Sequence, residues 1–371
     1  MLVGKVNRGS INRNDLLQAI DVEGKKVDSG KILKIMKKFG TGEVELDAAH
    51  AGDIVSVSGL GQATVSNTIT DVTDFDPIHS IPIDPPMLNM TLTYNDSPFS
   101  GDDGDKCTIN QIVERLVREA EDDVSLKVHV DPKTSDKIKI SGRGDLHLGI
   151  LLEKMRREGF ELSVSPPEVT MKEDENGELL EPIEIMTMEV EQQHSGAIID
   201  SMNNRKGLLI EASDLPSGNT ELKFDVPSRG LLGFRGFLTT LTRGQAVVSS
   251  EFDRFDDHRG EVKKVLKGAI ISTTKGNCTA YTLKDVEQKG QLFVAPNFPV
   301  YEGLVIGEHV LDTDMEMNPT KAKALTNIRT QGKEEQIKLQ GHRSFTVEEA
   351  VAYMRDDELV ELTPKWIRIR K

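Results

Sequence analysis

Two stretches of the chain have the residue types and spacing to bind a polyanion. Residues 317–333 carry Lys321, Lys323, Arg329 and Lys333 and no acid. Residues 363–371 carry Lys365, Arg368, Arg370 and Lys371, again without an acid, around Trp366. Lysines and arginines placed this way neutralise phosphates, and an aromatic ring among them gives a base a surface to stack on. The plainer reading is two solvated faces on an acidic protein, with Trp366 a core plug anchoring the last strand. The net charge of −15 disfavours a nucleic-acid partner for the molecule as a whole, but binding answers to the local field.

Catalytic chemistry is hard to place. The best approach to a phosphate-cradling loop is GKKVDSGKI (24–32), one residue too long and with Ile32 where a hydroxyl is needed. Asp21-Val22-Glu23-Gly24 fits DxxG, a pattern loose enough to occur by chance, and no NKxD base-reading motif is present. The eight histidines are scattered without metal-ligand spacing. Asp145 and His147, two apart, would face different sides of a helix, which leaves Asp145 to favour the helix start. Arg143-Gly144-Asp145 spells an adhesion motif but suits a strand-to-helix turn better. Cys107 and Cys278 lie far apart and outside any CxxC pattern, which favours a reducing compartment over a disulfide or zinc scaffold. The expectation is a chain with no catalytic residues, no nucleotide site and no metal site of its own. No apolar run reaches membrane-spanning length.

The elements that would carry the basic stretches can be read from periodicity. With 371 residues, two to four domains are expected. Residues 1–80 alternate in short runs between Gly and Asn turns, which reads as a small β-barrel. PIHSIPIDPP (77–86) reads as a proline linker. A β-α-β-β-α-β order follows over 84–168: a strand at Leu88–Tyr94, a helix with Ile109, Ile112, Val113, Leu116 and Val117 on one face, alternation at 126–130 and 138–140, a helix from 145 to 158, and a strand at 161–165. That is the ferredoxin-like split motif. After a hairpin-like stretch at 172–182 the order repeats over 180–257, with one helix expected across 231–241. Residues 260–371 read as a distinct α+β domain, with β-like pieces at 269–273, 280–283 and 303–306. A capping box of Thr346 and Glu349 precedes a last helix there. The fold class is therefore multidomain α+β: a truncated barrel, two ferredoxin-like units and a separate C-terminal domain.

Several strings sharpen this layout. GRGDLHLGILLEKMRREGFEL (142–162), PSRGLLGFRGFLTTLTRG (227–244) and AGDIVSVSGLG (51–61) resemble parts of the third, fifth and second domains of elongation-factor-G-like GTPases. Residues 167–181 leave no room for the domain that elongation factor G inserts there. VYEGLVIGEH (300–309), NPTKAKALTNIRTQGKEE (318–335) and DDELVELTPKWIRIRK (356–371) resemble the C-terminal domain of the BipA/TypA translational GTPases. The resemblance implies a ribosome-dependent GTPase parent whose GTP and magnesium sit in a domain outside this sequence. The opening strand of the barrel would also lie outside it, leaving an edge near residues 3–9.

It further implies a cytoplasmic, monomeric factor that contacts both ribosomal subunits, rRNA and the A-site tRNA, with links to large-subunit assembly and to cold and stress adaptation. Lys321, Lys323 and Lys333 would neutralise phosphates, Arg329 would clamp or stack, and Asn327 would meet a base edge. Lys365, Trp366, Arg368 and Arg370 would add a second RNA surface. Leu311 departs from the family pattern, which has an arginine there. Two other readings stay open: a LepA-like elongation factor, and a tandem ferredoxin-like module that binds a small regulatory molecule.

Overall fold

The computed structural model describes residues 1–79, 86–130, 136–173, 177–262, 267–322 and 338–371. The chain is mixed α+β, mostly strands, with seven helices among the described residues. It divides into two compact units, Met1–Ile83 and Asp84–Lys371.

The first unit is all β. Leu2–Lys5, Ile54–Ser58, Lys34–Phe39 and Gly42–Leu46 form one antiparallel sheet in that order. Lys26–Lys31, Leu16–Ile20 and Thr68–Asp71 form a second, and Ser10–Asn12 with Ala48–His50 a third. All three supply one core, in which Val6, Ile32, Ile35, Ala49, Val55 and Val57 are buried and Ile11, Leu17 and Ile69 pack against them. Gly30 and Gly59 let two backbones cross. A Cβ on Gly30 would sit 2.2 Å from the Gly59 carbonyl oxygen, and one on Gly59 2.0 Å from that of Lys31. Leu2–Lys5 is an edge strand, as expected, since its only partner among the described strands is Ile54–Ser58.

In the second unit, Leu88–Tyr94, α1 (Ile109–Asp122), Lys127–Val130, Ile138–Gly142, α2 (Asp145–Arg157) and Leu162–Val164 follow in sequence. In space the four strands run fourth, first, third, second. The same order recurs with Leu179–Glu191, α3 (Gln192–Asn204), Leu208–Asp214, Asn219–Pro227, two helices and Val247–Asp257. The apolar run expected as one helix at 231–241 is two, α4 (Ser228–Leu231) and α5 (Phe234–Thr242). They part at Gly233, whose φ of +70° ends one helix and starts the next.

The last hundred residues hold one correction. Residues 280–283, expected as β, begin α6 (Ala280–Glu287). Thr279 caps it, with its hydroxyl accepting from the Thr282 amide, and Leu283 and Val286 bury one face. A four-residue window was too short to separate helix from strand. The tail also packs on the preceding unit. Leu359–Leu362 pairs antiparallel with Leu162–Val164, and Ile367–Arg370 pairs outside it. The tail thereby covers an otherwise open sheet edge. α7 (Val347–Tyr353), capped as expected by the Thr346–Glu349 box, packs on α2. Val347, Ala350, Val360, Leu362 and Ile369 thus share a core with Leu92, Leu116, Leu152 and Met155. No described helix is long and apolar enough to cross a membrane.

Candidate nucleic-acid interface

The described start of the first basic stretch, residues 318–321, is fixed by hydroxyl and amide hydrogen bonds. The Asn318 side-chain oxygen accepts from the Thr274 hydroxyl at 2.9 Å and from the Thr320 amide at 2.9 Å. The Thr279 amide donates to the Pro319 carbonyl at 3.0 Å and the Thr279 hydroxyl to that of Lys321 at 2.6 Å. Thr282 also donates its hydroxyl to Pro319. Past the undescribed residues, the Gln340 amide donates to Glu287 at 2.6 Å. Thr279 and Glu287 bracket α6, so Lys321 and Gln340 are each tied to one end of that helix. Lys321 is exposed, and no described carboxylate pairs with it. Lys323, Asn327, Arg329 and Lys333 lie outside the described residues.

The second basic stretch is placed differently from what its sequence suggests. Acids distant in sequence neutralise it. Arg368, with its side chain only 3% exposed, lies across the strand pair from Glu361 and donates to it at 2.8 Å. Glu361 is itself fully buried and also accepts from Ser97 at 2.9 Å, Asn95 at 3.2 Å and Tyr301 at 2.6 Å. Burial, with Glu361 close by, pushes the Tyr301 phenol up, so it remains a donor. Arg370 is tied to Asp96 and donates to the Ser163 hydroxyl at 3.1 Å. Lys371 bridges Asp314 and Asp357. Arg368 and Arg370 therefore hold the tail on the sheet through these ion pairs. Lys365, 64% exposed, pairs with Asp103 at 3.0 Å but keeps its head at the surface.

Trp366 is 39% exposed, so it is neither a core plug nor free. Its ring meets Phe298 edge-on at 4.9 Å between centroids. Both line a cavity of about 520 Å³ together with Arg156, Phe293, Arg343 and Phe345. Sequence reasoning missed Arg343 because it belongs to no charge run; only its neighbour Phe345 hints at a stacked cation. Its guanidinium sits 4.6 Å from the Phe345 ring centroid and 5.3 Å from that of Tyr353.

Other side chains singled out in the sequence have structural partners. His147 pairs with Asp123 at 2.6 Å, and Asp145 accepts from the Leu146 amide at the start of α2. Cys107 and Cys278 are free thiols, and burial pushes the latter up to about 12. Among the described residues no group of His, Cys, Asp or Glu is arranged to hold a metal.

Comparison with known proteins bears on the whole chain. Residues 267–371 match the model of the TypA/BipA C-terminal domain, residues 178–266 that of the elongation factor G C-terminus, and residues 101–166 that of elongation factor G domain III. A Haemophilus influenzae protein called large ribosomal subunit assembly factor BipA is 40% identical over 370 residues, covering all of this chain and 60% of that protein. Proteins of the same description from Escherichia coli K12 and a Synechocystis strain are 39% and 36% identical, again over the whole chain and 60% and 62% of their own lengths. The chain thus spans about 60% of the length of the relatives it matches. With a C-terminal match specific to one branch, two elongation-factor-G matches before it and unbroken similarity from end to end, the chain belongs to the BipA/TypA family.

Proposed function

We propose that these residues form the ribosome-contacting part of a BipA-type translational GTPase that acts in assembly of the large ribosomal subunit. Support comes from the end-to-end similarity to proteins called large ribosomal subunit assembly factor BipA, together with the matched C-terminal domain. In this reading residues 1–80 are the barrel of domain II. Residues 84–168 and 180–257 are ferredoxin-like domains III and V, consistent with their shared strand order. Residues 260–371 form the family-specific domain, and GTP and magnesium belong to a domain outside this sequence. The protein acts in the cytoplasm as a monomer on both ribosomal subunits, rRNA and A-site tRNA.

The observation that carries the RNA contact is Lys321, exposed and held at the start of α6 where the basic segment begins. Lys321, Lys323, Arg329 and Lys333 neutralise phosphates there, and Asn327 meets a base edge. Lys365 and Trp366 add a smaller exposed contact. Each phosphate contact contributes about one unit to the slope of log affinity against log salt. Replacing Lys321, Lys323, Arg329 and Lys333 with Ala is expected to weaken ribosome binding and to flatten that slope by as much as about four units. An unchanged slope would overturn the assignment.

A further inference from the structure

The cavity beside Trp366 has a composition at odds with the rest of the molecule. The chain carries 61 acidic residues against 46 basic ones, yet Arg156, His342, Arg343, Lys365 and Arg368 line this cavity with no Asp or Glu among its described lining residues. A second cavity shares His342 but includes Glu287 and Glu308, so proximity to this part of the fold does not explain the difference. Three of the cations already have acid partners: Arg156 with Glu153, Lys365 with Asp103, and Arg368 with Glu361. Arg343 has none among the described carboxylates. Rings hold it in place instead of an anion, which fixes its planar fork while leaving its N–H edge free for bidentate bonding.

The remaining wall is aromatic and aliphatic, with Phe293, Phe298, Phe345, Trp366 and Ile367. A simple anion would satisfy the cations and leave those rings wet. An apolar ligand would leave the Arg343 guanidinium without an acceptor. A planar ring joined to a phosphate meets both demands, and the volume falls within the ~300–1,000 Å³ of small-molecule sites. We propose that this cavity binds one nucleotide unit, with the base against Trp366 and Phe298 and the phosphate on Arg343.

The inference goes beyond the RNA contact proposed for the 321–333 segment. The nucleotide unit has two sources, a free mononucleotide or an unpaired nucleotide of an RNA strand. Trp366 is the one tryptophan in the chain, so its emission reports this cavity alone. The test titrates the full chain with AMP, GMP, a tetraribonucleotide and inorganic phosphate, following absorbance-corrected tryptophan fluorescence. Saturable quenching by the nucleotides, at least tenfold weaker in affinity for Arg343→Ala, is expected. Arg343→Gln is run beside it, and melting curves confirm that both variants fold. Saturation by AMP or GMP assigns a free-nucleotide site, and saturation by the oligonucleotide alone assigns an RNA nucleotide; either supports the proposal. No saturable change up to millimolar nucleotide overturns it. So does equal affinity of both folded variants and the unmodified chain, or a response to inorganic phosphate matching that to nucleotide. No ribosome is present, so failure here leaves the 321–333 assignment standing, and the converse also holds.

Discussion

Charge type along the sequence and charge pairing in the fold diverge most at the tail. Residues 363–371 contain no acid, yet Asp96, Asp103, Asp314, Asp357 and Glu361 all reach their cations. Asp96 and Asp103 come from more than 250 positions earlier, and nothing local in the sequence announces them. The buried Arg368–Glu361 pair is costly to break, since removing one partner strands the other charge in the interior. Arg368→Ala is expected to destabilise the second unit by about 3–5 kcal/mol, read as a lower midpoint in urea, whereas Lys321→Ala stays within about 0.5 kcal/mol of the parent. Asp314 gives a pH signature. Burial would raise its carboxyl, but the Ala269 amide, Lys371 and Arg355 outweigh that and hold it at about 2. Its folded value lies below the unfolded one, so its contribution is present above about pH 4 and is lost as pH falls toward 2. Between pH 5 and pH 2 the parent is expected to lose about 1–2 kcal/mol more stability than Asp314→Asn, after allowing for partial exposure. Identical losses in the two would remove Asp314 from the account.

Elements were legible where a period ran long enough to choose between helix and strand. Leu88–Tyr94, α1 and α2 fall at or within a residue or two of their expected bounds because at least four apolar positions repeat at one spacing in each. α6 was misread because four residues with a β-branched and an aromatic member satisfy either template. The α4–α5 break was missed because the apolar spacing continues across Gly233 while the backbone does not. The α7 box was read correctly, since Thr-x-x-Glu states its own mechanism. Thr346→Ala should cost about 1 kcal/mol and loosen the cover that α7 gives α2; a thermal shift near zero would mean that packing alone holds the helix. In the first unit, amides of Leu2–Lys5 should exchange faster than those of Ile54–Ser58, which is paired on both sides. Equal protection would show that something other than the described strands covers the edge.

For the whole molecule, the order of elements could be read but their assembly could not. Two runs of β-α-β-β-α-β were visible as patterns, and their shared strand order follows from pairing that alternation alone does not specify. The pairing of Leu359–Leu362 with Leu162–Val164 joins segments nearly 200 residues apart, and it carries one sheet and core from residues 88–164 into the tail. The consequence for function is mechanical. The base of the basic segment and the cavity beside Trp366 belong to the same compact unit, anchored by buried side chains rather than by a linker. The central claim is that these domains themselves hold a ribosome through local positive charge on an acidic protein. Co-sedimentation of the chain with intact ribosomes, at low and then moderate salt, tests it most directly. Pelleting at low salt that falls steeply as salt rises is the predicted result, and no pelleting even at low salt would contradict it.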